Sequence, residues 1–308
     1  MVVPVVGSDP GRIARPCGGR IRRAAAAVVG LLGVTIVAAG PAPALPSGAS
    51  GRGAIEIERD VAYPTGATTT STLDAYLVAG THAAPAVVLV HGGGWSGGDK
   101  SSMSGLASAF AQAGFSAFSV DYRLAPTTPY PAGVDDVAAA VRWLRDPAQV
   151  QRFGIDPSRM GLFGVSAGGT LAAWVAMSGH GALDDGARVR AVASWSGPMA
   201  LVKYAVKAIP GAPGSAVGVY LGCEPRSCPS RVRDASPIAH VDGSDPPMLI
   251  ANSRREIVPV EQARAMDDAL TVAGVGHHLL LYAGKLHAEQ LTAVALQPTL
   301  AFFRRELG

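Results

Sequence analysis

The chain has 308 residues, of which 48% are hydrophobic and 16% charged, with 38 Gly and 23 Pro. An apolar share this high with so little charge excludes a disordered chain, and glycines without a fixed period exclude collagen. The formal charge of +3 and the three cysteines point at first to an anionic partner and an odd thiol, but both impressions depend on the N-terminal segment.

Residues 1–44 read as an export signal. Arg12, Arg15, Arg20, Arg22 and Arg23 form a basic lead, Ala24 to Ala39 is an uncharged apolar run, and Ala42-Pro43-Ala44 is a small-x-small cleavage pattern. The run is shorter than the roughly 20 residues a spanning helix needs, so no stable membrane span is expected after cleavage, with an uncleaved anchor as the alternative. The Arg22-Arg23 pair leaves a twin-arginine signal open. This segment holds five of the 26 basic residues and one of the 23 acids, so without it the chain carries 21 and 22, a net charge of −1. That leaves no basic cluster suited to nucleic acid. Cys17 departs too. Cys223 and Cys228 remain, an even pair whose expected state in an oxidising compartment is a disulfide; metal binding is disfavoured by the lack of a nearby His or third Cys.

Residues 45–54 read as a flexible lead-in and 55–308 as one catalytic domain. Strands are expected at 55–62, 73–78 and 86–90, the last a continuous apolar run typical of a strand buried on both faces. A helix over 101–113 ends at Gly114, and a strand follows over 115–120. Val134, Val137, Ala138, Val141 and Leu144 keep helical spacing towards Pro147. Strand 160–165, helix 168–177 and strand 189–194 come next. Residues 197–247 read as irregular and rich in Pro and Gly. Strand 248–251, helix 260–273, strand 278–282 and helix 291–305 complete the chain. This alternation predicts an α/β fold, a doubly wound, mostly parallel sheet of about eight strands with helices on both faces. In such a sheet the working site lies at the carboxyl ends of the strands.

Two of those ends carry recognisable chemistry. Gly164-Val165-Ser166-Ala167-Gly168-Gly169 puts a serine on a strand-to-helix turn so tight that its neighbours must be small. His91-Gly92-Gly93-Gly94-Trp95 exposes backbone N–H groups without side-chain obstruction, as a tetrahedral oxyanion requires. A phosphate cradle is disfavoured, because no Gly-Lys-Ser/Thr follows at the required spacing.

Together with Asp121-Tyr122-Arg123-Leu124-Ala125-Pro126, these motifs make residues 55–305 resemble the α/β-hydrolase esterases of the hormone-sensitive-lipase type and their feruloyl-esterase-like relatives. The resemblance implies Ser166 as nucleophile and the N–H groups of Gly93, Gly94 and Ala167 as oxyanion hole. It implies residues 197–247 as a substrate-binding insertion, and a small-molecule ester as substrate with no cofactor or metal. His287, in Gly284-Lys285-Leu286-His287, matches the family's general base, whose near-neutral pKa lets it take and return a proton. His91 is expected to play a structural role.

The acid departs from the pattern. Counting back from Val258-Pro259, the family's aspartate position holds Arg255, which cannot accept the imidazole N–H. Glu256, one position later and one methylene longer, is taken as the acid, with Asp242 and Asp245 as fallbacks. Asp121 and Arg123 are expected to pair at a strand end, Asp135 and Asp136 to serve a helix start, Asp99 and Lys100 to be solvated, and Trp95 to line the acyl pocket or pack in the core. The function expected is a secreted or cell-envelope serine carboxylesterase. The alternatives are a hydrolase-like protein that only binds ligands, or a serine peptidase of the same fold. Oligomeric state is not specified by the sequence.

Overall fold

A computed structural model describes residues 54–201 and 215–308; the export-signal reading, the start of the lead-in and part of the expected insertion lie outside the described residues. The element order is β1 (Ile55–Pro64), β2 (Thr70–Val78), β3 (Ala84–Val90), α1 (Ser104–Gln112), β4 (Ser116–Val120), α2 (Ala132–Leu144), α3 (Pro147–Phe153), β5 (Ile155–Val165), α4 (Ala167–Met177), β6 (Ala191–Trp195), α5 (Ala216–Leu221), α6 (Pro229–Asp234), β7 (Met248–Ser253), α7 (Val260–Ala273), β8 (His277–Tyr282) and α8 (Thr292–Leu307).

The strands form one eight-stranded sheet in the order β1-β2-β4-β3-β5-β6-β7-β8. β1 and β2 are antiparallel additions, and every pairing from β4 to β8 is parallel. The α/β-hydrolase architecture expected from the sequence is thus present. Alternate side chains of β3 enter different cores: Ala86, Val88 and Val90 pack with α2 and α4, whereas Val87 and Leu89 pack with α1 and α8. That two-sided burial is why the strand is apolar at nearly every position. Phe110, Phe115, Phe163 and Phe303 interlock on the α1/α8 side at ring distances of 5.4–6.3 Å. Each such buried ring contributes about 1.5–3 kcal/mol by its transfer from water.

The structure departs from the sequence reading in several places. Helix α3 begins where the preceding helix was expected to end and fills a stretch to which the sequence reading assigned no element. Its start is set by Asp146, whose carboxylate accepts the Ala148 N–H at 2.9 Å, and by Pro147 in the first turn. β5 begins at Ile155, five residues before Met160, because Ile155 lies opposite Ala84. The region read as irregular carries α5, α6 and a 3₁₀ turn, Pro237–His240. It is tied down by Tyr130, whose hydroxyl donates to Asp234 Oδ2 at 2.6 Å, and by Trp174 Nε1–H, which donates to the Asp234 carbonyl at 2.7 Å. Cys223 and Cys228 form a disulfide between α5 and α6.

The expected Asp121–Arg123 pair does not form. Arg123 binds the fully buried Asp136 through both Nε and Nη2, which also corrects the reading of Asp136 as a helix-start charge. Asp121 instead takes the Lys100 backbone N–H at 2.8 Å and its ammonium at 3.1 Å. Lys100 is therefore not solvated: its ammonium lies among Asp60, Asp74 and Asp121. Asp99 is exposed and caps the 3₁₀ turn that follows. Among the described residues, no helix is long and apolar enough to cross a membrane.

Candidate active site

The site is built at the carboxyl ends of β3, β5, β6, β7 and β8. At the end of β5 the chain must reverse into α4 within one residue, and Ser166 takes that position with φ 50° and ψ −122°. A left-handed φ on a serine carries strain. It persists because the Ser166 N–H donates to the Trp195 carbonyl at 2.8 Å and because a glycine stands two positions to either side. A Cβ at Gly168 would lie 2.2 Å from the Val90 carbonyl oxygen, and one at Gly164 would lie 2.2 Å from that of Gly168. The motif therefore reflects steric demand rather than flexibility. The result is a half-buried hydroxyl standing at the start of α4.

The loop after β3 passes directly over this serine: a Cβ at Gly92 would come within 3.2 Å of Ser166 Cβ. Gly93 has φ 120° and Gly94 has φ 61°, and the Gly93 carbonyl accepts the N–H groups of Ser96 and Gly97 to close the turn. Among the described residues, the N–H groups of Gly93, Gly94 and Ala167 meet no acceptor. Three donors are thus left over beside the serine. His91 has the structural place expected of it. It is buried, stacks on Tyr122 at 4.3 Å and holds the Gly92 carbonyl through Nδ1 at 2.7 Å. Burial pushes its pKa below the ordinary 6.5. Of the two roles left open for Trp95, the structure favours packing: it is buried and stacks on Tyr220 at 4.6 Å.

His287 lies on the loop after β8, with Nε2 at 3.0 Å from Ser166 Oγ. Its Nδ1 is hydrogen-bonded to Glu256 Oε2. The side chain of Glu256 is fully buried, and its Oε1 accepts the Ser253 N–H at 3.0 Å and the Ser196 hydroxyl at 2.9 Å. Arg255 is exposed, and its backbone N–H donates to the Gly284 carbonyl at 3.0 Å, joining the β7 and β8 loops. At this bend position 255 faces solvent and position 256 faces the histidine. The fallback acids are engaged elsewhere. Asp245 faces Arg188 at 3.3 Å, and Asp242 faces His180 at 2.9 Å.

The structure adds two groups that the motifs did not flag. Ser196 follows β6 and touches Glu256. Gln290 accepts the His287 backbone N–H through Oε1 at 3.0 Å. Ser196 was open to discovery by the strand-end rule already applied to β3 and β5. Gln290 had no comparable signal. Among the described residues, no group of three or more His, Cys, Asp or Glu is arranged to hold a metal. A serine hydroxyl bonded to an imidazole, an imidazole bonded to a buried carboxylate and three spare N–H donors together can activate a nucleophile and receive an oxyanion.

The BD-FAE family model matches residues 73–270. Carboxylesterase NlhH of Mycobacterium tuberculosis is 50% identical over 94 residues, covering 30% of this chain and 28% of NlhH. Esterase LipC of the same organism is 30% identical over 257 residues, covering 70% of this chain and 58% of LipC. The chain thus spans less than two thirds of the length of either relative. A truncated form of a carbohydrate esterase from gut microbiota is 26% identical with a TM-score of 0.67, over 76% of this chain and 90% of that one. The matched segment runs from β2 into α7 and includes the glycine loop, the serine turn and the β7 loop, so the chain belongs to the BD-FAE family and has the α/β-hydrolase fold.

Proposed function

We propose that this protein is a serine carboxylic ester hydrolase with Ser166, His287 and Glu256 as its catalytic residues. The observation that carries the reading is the unbroken hydrogen-bonded line from Ser166 Oγ through His287 to the buried Glu256. Ser166 Oγ attacks the ester carbonyl carbon while its proton passes to His287 Nε2. The carbonyl oxygen becomes an oxyanion held by the N–H groups of Gly93, Gly94 and Ala167, and each such donor is worth about 10²–10³ in rate. The imidazolium that forms is balanced by the Glu256 carboxylate. The tetrahedral intermediate collapses, His287 Nε2–H protonates the departing alkoxide, and an acyl-Ser166 remains. Water then repeats the sequence: its proton goes to His287, its oxygen bonds the acyl carbon, and Ser166 leaves with the proton returned.

The similarity to esterases in M. tuberculosis supports an ester substrate. Arg255 does not favour a binding-only role, because the neighbouring carboxylate occupies the place beside His287. Export through residues 1–44 belongs to the same reading. It is supported by the basic-then-apolar N-terminus and by a disulfide suited to an oxidising compartment. N-terminal sequencing of the protein recovered outside the cytoplasm, expected to begin at Leu45, checks it. The activity is tested by hydrolysis of nitrophenyl esters of increasing acyl length. Turnover is expected for the parent and not for Ser166→Ala, and the lack of Ser166-dependent turnover on every ester would remove the assignment.

A further inference from the structure

We propose that Ser196 is a positioning residue that fixes the Glu256 carboxylate and the His287 loop relative to each other. This rests on the ester-hydrolase reading given above. Ser196 is fully buried at the end of β6 and takes φ 56°, a conformation that favours glycine. Its N–H donates to the Ala251 carbonyl at 2.8 Å, which anchors it to β7. Its hydroxyl accepts the Ala288 N–H at 3.0 Å, so its single proton is left for Glu256 Oε1 at 2.9 Å. Ala288 directly follows His287 and is itself left-handed, with φ 52°. One hydroxyl therefore touches both the acid and the backbone that carries the base. With the Ser253 N–H also on Oε1, that oxygen is occupied by two neutral donors, and Oε2 is left to His287. A carboxylate held in this way has one orientation available to it, which fixes the imidazole that must reach Ser166.

The test compares Ser196→Ala, Ser196→Gly and the parent. Loss of a hydrogen bond to a charged group should lower kcat about 10- to 100-fold while KM stays within about twofold, because Ser196 is buried beneath the acid and does not meet substrate. Glycine separates the two possible roles of the residue. It suits φ 56° better than serine does, so a residue needed only for the turn would lose nothing on Ser196→Gly. The second readout needs no substrate. The downfield proton NMR resonance of His287 Nδ1–H, assigned by its loss in His287→Ala, should move upfield and broaden in both Ser196 variants. Retention of kcat within about twofold in both variants, or an unmoved resonance, would overturn the proposal. So would loss of the fold in both, which would make Ser196 a structural residue alone. If the parent cleaves no ester, the ester-hydrolase reading fails by itself, and the resonance still decides whether Ser196 orients the pair.

Discussion

Glu256 is the residue on which the proposed chemistry is most exposed to disproof. In Glu256→Gln the side-chain carbonyl oxygen must face the Ser253 N–H and the Ser196 hydroxyl, since both donate to Oε1 at 2.9–3.0 Å. The amide NH₂ then faces His287 Nδ1. An NH₂ only donates, so the ring must carry its proton on Nε2, where it cannot accept one from Ser166. Flipping the amide sets the NH₂ against two donors instead. Neither orientation works, and a triad forced into the wrong tautomer loses about 10⁴ in kcat, about 5.4 kcal/mol at 1.36 per decade. KM should hardly change, because the carboxylate is fully buried behind His287. Glu256→Asp withdraws the carboxylate by about one C–C bond, roughly 1.5 Å. It can then keep Ser196 and Ser253 or reach His287, but not both, and a loss of about 10–100-fold is expected. Arg255→Ala should stay within about twofold, since Arg255 meets the neighbouring loop only through its backbone. Steady-state hydrolysis of nitrophenyl butyrate measures all three. The reasoning is refuted if Glu256→Gln keeps more than about a tenth of parental kcat, or if adding Arg255→Asp to it restores activity.

Three further outcomes follow from the same geometry. Gly93→Ala sets a Cβ 2.0 Å from the Gly97 carbonyl oxygen at a backbone φ of 120°; the oxyanion loop must shift, and kcat should fall about 10²-fold with the circular dichroism spectrum intact. His91 is held neutral by burial, with its pKa below the 6.5 it regains on unfolding. Its contribution to stability is therefore full above about pH 6.5 and lost as the pH falls from there, because the unfolded chain then binds the extra proton more readily. Melting temperature should drop between pH 7 and 5, and His91→Asn should flatten that slope; an equal slope in both proteins would contradict it. The Cys223–Cys228 disulfide closes a short loop, its ends five positions apart. Chain-entropy arithmetic gives it about 2 kcal/mol, so Cys223→Ser/Cys228→Ser should melt about 4–8 °C lower, and an unchanged Tm would show that the crosslink does not restrain the unfolded chain.

The parts of the fold that were legible in the sequence are those decided by local sterics. Gly164 and Gly168 are glycine because backbone atoms lie where a Cβ would sit, and β3 is apolar throughout because it has a core on each side. Such constraints act residue by residue and leave a mark that any single sequence shows. The polar pairings were not legible. Arg123 was expected to meet Asp121, two residues away, but bonds Asp136, 13 residues on. Lys100 was expected in water but lies between β1, β2 and the end of β4. Charge carries no periodicity that names its partner, so only the folded chain reveals it. Helices α5 and α6 escaped for another reason: six residues are too few for a 3.6-residue rhythm to emerge. Glu256 lies between the two cases. Its identity as a carboxylate near Val258-Pro259 was readable, whereas its support comes from Ser196, 60 positions away.

The Arg255-Glu256 bend also says something about ancestry. Relative to the pattern that the resemblance implies, the proposed acid stands one position further along the loop and is one methylene longer. An aspartate at position 256 falls about one C–C bond short of holding both its buried donors and His287, so the route between the two arrangements passes through a weakened intermediate or through a form that carries both carboxylates at once. The second route is open here, because position 255 faces solvent and an acid there would cost the fold little. Pattern searches that demand aspartate at one fixed column would discard this protein as a dead relative. A search that asked instead for any carboxylate able to reach the buried donors at the ends of β6 and β7 would keep it.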